Sequence, residues 1–202
     1  ISTSWNKTPI TVFIDCNPSF SIYTELALAA SDRLIIPFSA DGSSKRAVRA
    51  VLSLVFGKSR QAGQQQSEFF INTERFRMST PRLYMYIGNR LTQANKASAT
   101  AFSTVVNEIG NEIYDVWHAH PNLFCIHPNG ASSPSSKRSF KAMFEYEVND
   151  ANTASVVSSA CGIPISELSS GTRVVLGKNV VVNQTQLDTQ VPNIQNLVAA
   201  IE

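Results

Sequence analysis

The stretch I-T-V-F-I-D-C-N-P, residues 10–18, is a run of β-branched and aromatic residues that ends in one carboxylate, Asp15, followed by turn residues. Uninterrupted apolar runs of this kind are typical of parallel strands that are covered on both faces. We therefore predict a buried strand over residues 10–14. Such a strand delivers Asp15 to the carboxyl edge of a parallel sheet, where α/β proteins bind their ligands.

The residues after this stretch predict that strands and helices alternate. Ile22, Leu26 and Ala29 share one face at helical spacing, and R-L-I-I-P, residues 33–37, is a second apolar run closed by proline. Further strands are predicted over 82–88 and 123–126, helices over 44–56, 93–118, 150–161 and 192–201 and after Ser136, and a hairpin around G-K-N, residues 177–179. Alternation predicts an α/β fold: a mostly parallel, doubly wound sheet with helices on both faces, in one domain over 1–202.

Composition limits the function classes. Hydrophobic residues make up 43% of the 202 residues, and the formal net charge of +2 is too small to indicate a nucleic-acid partner by itself. Three widely spaced cysteines, Cys16, Cys125 and Cys161, form no disulfide framework and no metal motif, which fits a reducing cytoplasm. No apolar run reaches the roughly 18 to 20 residues that a membrane span requires.

On the local pattern, Asp15 has two interpretations. A carboxylate at the end of a buried strand needs a partner such as a metal ion, a water network or a base. Alternatively, Asp15 caps the helix that begins near Ser19. Strand-end aspartates are common in α/β folds, so the local pattern favours neither.

The residues around Asp15 favour the first interpretation, a carboxylate with a ligand-binding role. Residues 11–37, T-V-F-I-D-C-N-P-S-F-S-I-Y-T-E-L-A-L-A-A-S-D-R-L-I-I-P, resemble the ParA/MinD family of deviant Walker A partition ATPases. That family has an hhhhD-x-P-P switch, a helix with an alanine-rich end and then A-A/S-D-x-h-h-h-P. Later features agree in order: a strand closes on Asn89-Arg90, and residues 148–164 end in a small-G-x-P turn. The resemblance implies the C-terminal portion of a P-loop NTPase-like fold.

The resemblance assigns roles to five residues. Asp15 is the Walker B carboxylate that holds Mg²⁺ through water, Pro18 belongs to the γ-phosphate switch, Pro37 closes the next strand beside the nucleotide, Asn89 bonds the adenine edge, and Arg90 lies beside it. An amide suits adenine because it both donates and accepts hydrogen bonds. One position departs from the pattern, since Asn17 stands where the first proline of the switch is usual.

The phosphate loop of the family is expected upstream of Ile1, so we interpret the chain as a piece of a longer ATPase that is inactive by itself. Two internal segments imitate such a loop. Gly57-Lys58-Ser59 follows a predicted helix and has Leu52 where a P-loop needs glycine, and Gly177-Lys178 has the wrong spacing.

The resemblance also implies partners. The complete protein is expected to bind Mg-ATP, form a homodimer, bind DNA non-specifically and hydrolyse ATP on stimulation by a ParB-like partner, as a cytoplasmic, nucleoid-associated factor in DNA segregation such as plasmid partition. Three basic groups are candidates for DNA contact, and a solvated surface is the simpler interpretation of each group alone. The candidate residues are Lys45, Arg46, Arg49, Lys137, Arg138 and Lys141, with Lys58 and Arg60 in a polar loop.

Two alternatives stay open. One is a catalytically degenerate ATPase fold that acts as a scaffold, to which Asn17 gives weight. The other is a MinD-like positioning ATPase. Membrane-targeting MinD proteins end in a basic amphipathic helix, whereas residues 191–202 contain no lysine or arginine, which predicts no membrane partner.

Overall fold

A sheet of three parallel strands forms the centre of the computed structural model, which describes residues 10–16, 21–39, 41–57, 66–91 and 96–201. In spatial order the strands are β1 (Arg33–Ser39), β2 (Arg82–Leu91) and β3 (Glu145–Asn149). Ser39 pairs with Asn89 at the end of β1, and Leu91 pairs with Asn149 at the end of β3. The predicted α/β class with a parallel sheet is confirmed, and the carboxyl ends of all three strands share one edge.

Seven α-helices accompany the strands within the described residues. They are α1 (Ile22–Ala30), α2 (Gly42–Phe56), α3 (Glu68–Phe76), α4 (Lys96–Ala119), α5 (Lys137–Phe144), α6 (Thr153–Cys161) and α7 (Gln184–Ile201). The apolar spacing in α2 is the predicted one: Val48, Leu52 and Val55 are all buried. No helix in the described part of the chain combines the length and the apolar character needed to cross a bilayer.

The core lies on both faces of the sheet. On one face, side chains of β1 and β2 such as Tyr86 pack with α2, α4 and α5, where Ile109 and Phe140 are fully buried. On the other face, Tyr84 and Met85 of β2 pack against the end of α7, including Leu197. A third cluster joins α6 and the first half of α7 to the hairpin described next.

The predicted hairpin is confirmed. It consists of β4 (Gly171–Val175) and β5 (Lys178–Val182), which pair antiparallel. Leu176 and Gly177 form the two-residue turn, and both have positive φ, 50° and 75°. Turns with positive φ at both central residues match the twist of the flanking strands, which is why they close short hairpins.

The prediction of a strand over residues 10–14 is wrong for this structure. Residues 10–16 form no regular element, and Val12 and Phe13 are 68% and 69% exposed. A strand is buried on both faces only when it pairs within a covered sheet. β1 is the nearest strand in sequence, and within the described residues it pairs with β2 alone, so residues 10–14 have no strand partner.

Other boundaries also differ from the prediction. In place of a strand over 123–126, a 3₁₀ turn (Pro121–Leu123) precedes a single bridge from Phe124 to Leu83. Neither α3 nor β3 was predicted; β3 is a short strand of alternating polar and apolar residues that directly follows α5. Helix α7 begins well before residue 192, since Pro192 lies inside it rather than at its start.

Candidate functional site

The candidate site is the edge of the sheet where the three parallel strands end. Asn89 lies near the end of the central strand, with Ser39 of β1 on one side, and β3 ends on the other side at Asn149. The carboxyl edge of a parallel sheet is where α/β proteins place their ligands, because loops and helix N-termini converge there.

A first groove opens between β1 and β2. Its volume is about 280 Å³, and it is lined by Pro37, Phe38, Ser39, Ser44 and Asn89. The Ser39 amide donates a hydrogen bond of 3.2 Å to Ser44 Oγ at the start of α2. The loop after β1 is thereby fastened to the helix, and the groove has a polar rim beside the ring of Phe38.

The carboxylate of Asp41 caps the start of α2. Asp41 Oδ1 accepts hydrogen bonds from the Ser43 hydroxyl at 2.5 Å and from the Ser44 amide at 2.7 Å. The Ser43 hydroxyl first, and then the Ser44 amide, hold the pKa of Asp41 below its ordinary value. Because this carboxylate caps the helix, the helix terminus by itself is not a vacant anion site.

A second groove opens between β2, β3, α6 and α7. Its volume is about 270 Å³. The lining combines apolar and polar side chains: Asn89, Val148, Asn149, Asp150, Ala151, Ser155, Ser158, Ser159, Ile165, Gln190 and Ile194. Asn89 therefore borders both grooves, and it is the residue that the two linings have in common.

The turn after β3 shapes the wall of the second groove. Asp150 Oδ1 accepts a hydrogen bond of 3.0 Å from the amide of Asn152, whose φ of 47° is positive. The Ser155 hydroxyl then donates to the Asn152 carbonyl at 2.7 Å. Asparagine tolerates positive φ better than most residues, so the sequence N-D-A-N permits the sharp entry into α6.

The structure brings together two of the residues that the resemblance selects. Pro37 and Asn89 lie on neighbouring strands and line the same groove. Arg90 lies in β2, directly after Asn89. Pro18 falls outside the described residues, so its predicted role in the γ-phosphate switch stays a prediction.

Asp15 does not join this edge in the structure. It lies in the exposed segment over residues 10–16 and follows no strand. The described residues also contain no group of three or more histidine, cysteine, aspartate or glutamate side chains that could hold a metal ion. Asp15, the residue to which the resemblance assigns the magnesium ion, therefore lines neither of the two grooves beside Asn89.

The basic residues of α2 form ion pairs with α4. Lys45 Nζ lies 2.6 Å from Glu108 and 3.6 Å from Glu112, and Arg49 binds Glu112 through two nitrogen atoms. The Lys45 hydrogen bond lowers the pKa of Glu108, and the Glu112 hydrogen bond raises the pKa of Arg49. Arg46 is exposed. Two of the three cations predicted to contact DNA through α2 thus have a carboxylate partner.

The second basic group lies on α5 and has different surroundings. Lys141 Nζ donates to Asn107 at 2.6 Å and lies 3.5 Å from Glu145. Lys137 lies over the ring of Tyr114, with Nζ 5.7 Å from the ring centre. Arg138 is exposed and makes no ion pair with any of the described residues.

Comparison of the chain with protein-family models, with curated proteins and with solved structures finds no match.

Several groove residues were not among the predicted site residues. Asn149 and Asp150 follow β3, which sequence reasoning did not identify. The alternation in E-Y-E-V-N, residues 145–149, places Tyr146 and Val148 on one face and was a strand signal of period two. Gln190 carries no such signal, because nothing in a helical sequence marks one glutamine as buried.

Proposed function

We propose that the chain is part of a Mg-ATP-dependent partition ATPase of the ParA/MinD type. The observation that supports this most directly is the position of Pro37 and Asn89. The resemblance selects them from distant parts of the sequence, and they line one groove at the carboxyl edge of the parallel strands. Their proximity is what the proposal requires of a nucleotide-binding edge.

In this proposal the strand-end residues bind the base. Asn89 offers one donor and one acceptor to the adenine edge, and the apolar side chains Phe38 and Val148 lie in the grooves on its two sides. Bound Mg-ATP supplies the phosphoryl group that is transferred to water. The part of the chain that the structure describes contributes binding and orientation of the base.

The phosphate-binding elements belong, in this proposal, to a further strand beside β1. The outer edge of β1 is unpaired within the described residues, and residues 10–14 expose the apolar side chains of a typical strand. A strand that carries the phosphate loop and pairs along β1 enlarges the sheet. Residues 10–14 then gain a sheet to join, and Asp15 reaches the ligand-binding edge in a doubly wound, P-loop NTPase-like fold.

Homodimer formation, non-specific DNA binding, stimulation by a ParB-like partner and nucleoid association are proposed on the resemblance. DNA binding requires cations that are free to neutralise phosphates. Arg46, Lys137 and Arg138 are the exposed candidates without an ion pair to any described residue, so they are the strongest of the predicted contacts.

The second candidate function is a scaffold that retains the fold without hydrolysis. The exposed position of Asp15, away from any strand end, favours it. The two functions make different predictions for one carboxylate: an ATPase depends on Asp15, and a scaffold does not.

The test is ATP turnover, with and without DNA, by the protein as its gene encodes it. The proposal expects Asp15→Ala to abolish turnover, and it expects Asn89→Ala to weaken ATP binding by about tenfold, the effect of losing one to two hydrogen bonds to the base. Asn122→Ala is the matched control, because Asn122 is exposed and lines neither groove. Equal turnover by the unmodified protein and Asp15→Ala would refute the ATPase and leave the scaffold.

A further inference from the structure

The turn of the hairpin combines two unfavourable features in one residue. Leu176 is 97% exposed, the highest exposure of any large apolar side chain in the described part of the chain. Its φ of 50° is positive, a conformation that glycine and asparagine adopt at less cost than leucine. So exposed a side chain packs against almost nothing, so no contact within the described residues offsets these costs. An exposed leucine on a strained turn indicates contact with another molecule.

An apolar surface of the hairpin leads up to this leucine. In the antiparallel register Val174 lies opposite Asn179, and Thr172 lies opposite Val181. All four side chains are exposed, Val174 to 68% and Val181 to 59%. Because paired residues of a hairpin project from the same side, the four form one outward surface, with Leu176 at its end. These five residues are called the hairpin face below.

The opposite side of the hairpin is covered by the protein itself. Val175 and Val182 are buried in the cluster that α6 and the first half of α7 form with the hairpin. Lys178 pairs with Val175 and therefore projects from this side. Arg173 projects from it too, by alternation along β4, and donates a hydrogen bond of 2.7 Å to Ser169 Oγ. Both cations of the hairpin thus lie away from the hairpin face, which carries no charged side chain.

The lack of charge on the hairpin face indicates what covers it. A nucleic acid or an anionic lipid surface gains affinity from cations, and this face offers none. A second copy of the same face brings no charge that must be desolvated, and interfaces between identical chains are more apolar than others. Asn179 both donates and accepts hydrogen bonds, so two copies related by a two-fold axis can bond each other through it.

We propose that the hairpin face is an interface between two copies of this chain, in which Leu176 of one protomer packs against the partner's Val181. A two-fold axis that runs the two hairpins antiparallel produces this contact twice. A standard interface contains about 20 to 30 residues a side, and the hairpin face is much smaller, so we expect a weak complex with a dissociation constant of about 0.1 mM. The described residues that line the two grooves include none from β4 or β5, so the inference goes beyond the proposed nucleotide function and does not require it.

The experiment is sedimentation velocity of this chain at concentrations from about 10 µM to about 1 mM, without nucleotide so that an ATP-dependent dimer does not contribute. We expect the weight-average sedimentation coefficient to rise over this range from that of a monomer towards that of a dimer. Leu176→Asn should weaken the association by about thirtyfold, the effect of removing an interface anchor. Because asparagine tolerates positive φ, this variant should keep or raise the melting temperature, which separates loss of association from loss of folding.

Leu26→Asn is the matched control, because Leu26 is also an exposed leucine, at 58%, and lies on α1. This variant should associate as the unmodified chain does. Val181→Thr keeps a β-branched side chain in β5 and should weaken the association through the lost apolar contact. The backbone amide resonances of Val174 and Leu176 should shift in an NMR dilution series, which locates the contact on the hairpin face.

Three outcomes would overturn the inference. The chain stays monomeric at about 1 mM, which leaves the hairpin face to a different protein or to a lipid surface. Alternatively, Leu176→Asn associates as strongly as the unmodified chain, or Leu26→Asn abolishes the association and so places the interface on α1. Failure of the proposed function shows elsewhere, in ATP turnover that does not depend on Asp15. Self-association through Leu176 would stand if turnover failed.

Discussion

Tyr86 donates a hydrogen bond of 2.7 Å to Glu145 Oε2 and so joins β2 to β3 within the protein. Tyr86 is fully buried, and Lys141 Nζ lies 3.5 Å from the same carboxylate oxygen. Burial raises the pKa of Tyr86 well above its ordinary value, and the charge of Glu145 raises it further. The interior thus stabilises a neutral phenol that donates to a charged carboxylate.

Alkaline pH should therefore destabilise the fold through Tyr86. Because its folded pKa is raised, its contribution is complete below the unfolded pKa of about 10 and is lost as pH rises towards the folded pKa. Urea unfolding at increasing alkaline pH should show a steep loss of stability. Tyr86→Phe should flatten that dependence and cost about 1 to 2 kcal/mol near neutral pH. Tyr23→Phe, at a 79% exposed position, is the control. A parallel pH profile for Tyr86→Phe would refute the assignment.

The same hydrogen bond explains Gly110 in α4. A Cβ atom at this position would lie 2.9 Å from Glu145 Oε2 and 3.1 Å from Tyr86 Oη. Gly110→Ala should destabilise the protein by about 1 to 3 kcal/mol through overpacking, although alanine is the better helix former. In a Glu145→Ala background the destabilisation caused by Gly110→Ala should be smaller, because Glu145 Oε2, the atom nearest to the added Cβ, is absent. Additive effects in this double-mutant cycle would contradict the steric cause.

Gly57 and Gly162 separate backbone strain from steric clash. Both follow a helix with positive φ, 62° and 65°. A Cβ atom at Gly57 would lie 2.6 Å from the ring of Phe70, whereas nothing lies within 4 Å at Gly162. Gly162→Ala should cost about 1 kcal/mol, the strain of a left-handed alanine. Gly57→Ala adds the clash and should cost about 1 to 3 kcal/mol more. Equal changes in the free energy of unfolding would show that Phe70 moves aside freely.

Local patterns predicted the elements whose partners are near in sequence. The spacing of Val48, Leu52 and Val55 identified α2, and Gly162 marked the end of α6, because helix periodicity and helix caps are local properties. Residues 10–14 carry an equally strong strand pattern, yet a strand also needs a neighbour, which a local pattern does not supply. A local sequence pattern indicates strand propensity, but it does not indicate whether a partner strand is present.

The candidate site was predictable in part for the same reason. Pro37 and Asn89 end recognisable strands, so strand order alone brings them to one edge. Gln190 lines the second groove because α7 packs beside the turn after β3, a contact that spans 40 residues of sequence. Likewise, Glu108 and Glu112 pair with α2 across 63 residues. The cations of α2 are evident in its own sequence, whereas the carboxylates that pair with them lie on a helix far along the chain.

Acidic pH should destabilise the protein through His127. Its ring stacks on Tyr84 with centroids 4.1 Å apart, contacts Phe144 edge-on, and leaves Nε2 buried without a partner in the described structure. Burial lowers the pKa of His127, and the nearby charge of Arg33 lowers it further. The unfolded chain therefore binds the proton more readily than the folded chain. The contribution of His127 to the free energy of unfolding is complete above its unfolded pKa of about 6.5, and it is lost as the pH falls below that value.

The measurement is the urea midpoint of unfolding between about pH 7.5 and about pH 5, on either side of the ordinary histidine pKa. His127→Phe should remove most of the loss on acidification, since phenylalanine keeps the stacking and does not titrate. His118→Phe is the control, because His118 is exposed. An unchanged acid profile in His127→Phe would assign the loss to other groups.

The two basic groups should contribute unequally to DNA binding. Lys45 and Arg49 already neutralise Glu108 and Glu112, so a DNA phosphate must compete with those carboxylates. Each phosphate neutralised by a free cation adds roughly 0.9 to the slope of log affinity against log salt concentration. Lys137→Ala with Arg138→Ala should therefore reduce the slope by about two, and Lys45→Ala with Arg49→Ala by less than about one. Fluorescence anisotropy of labelled duplex DNA over a salt series measures both slopes. A larger effect of the α2 pair would show that its ion pairs open on DNA, and an affinity without salt dependence would contradict DNA binding itself.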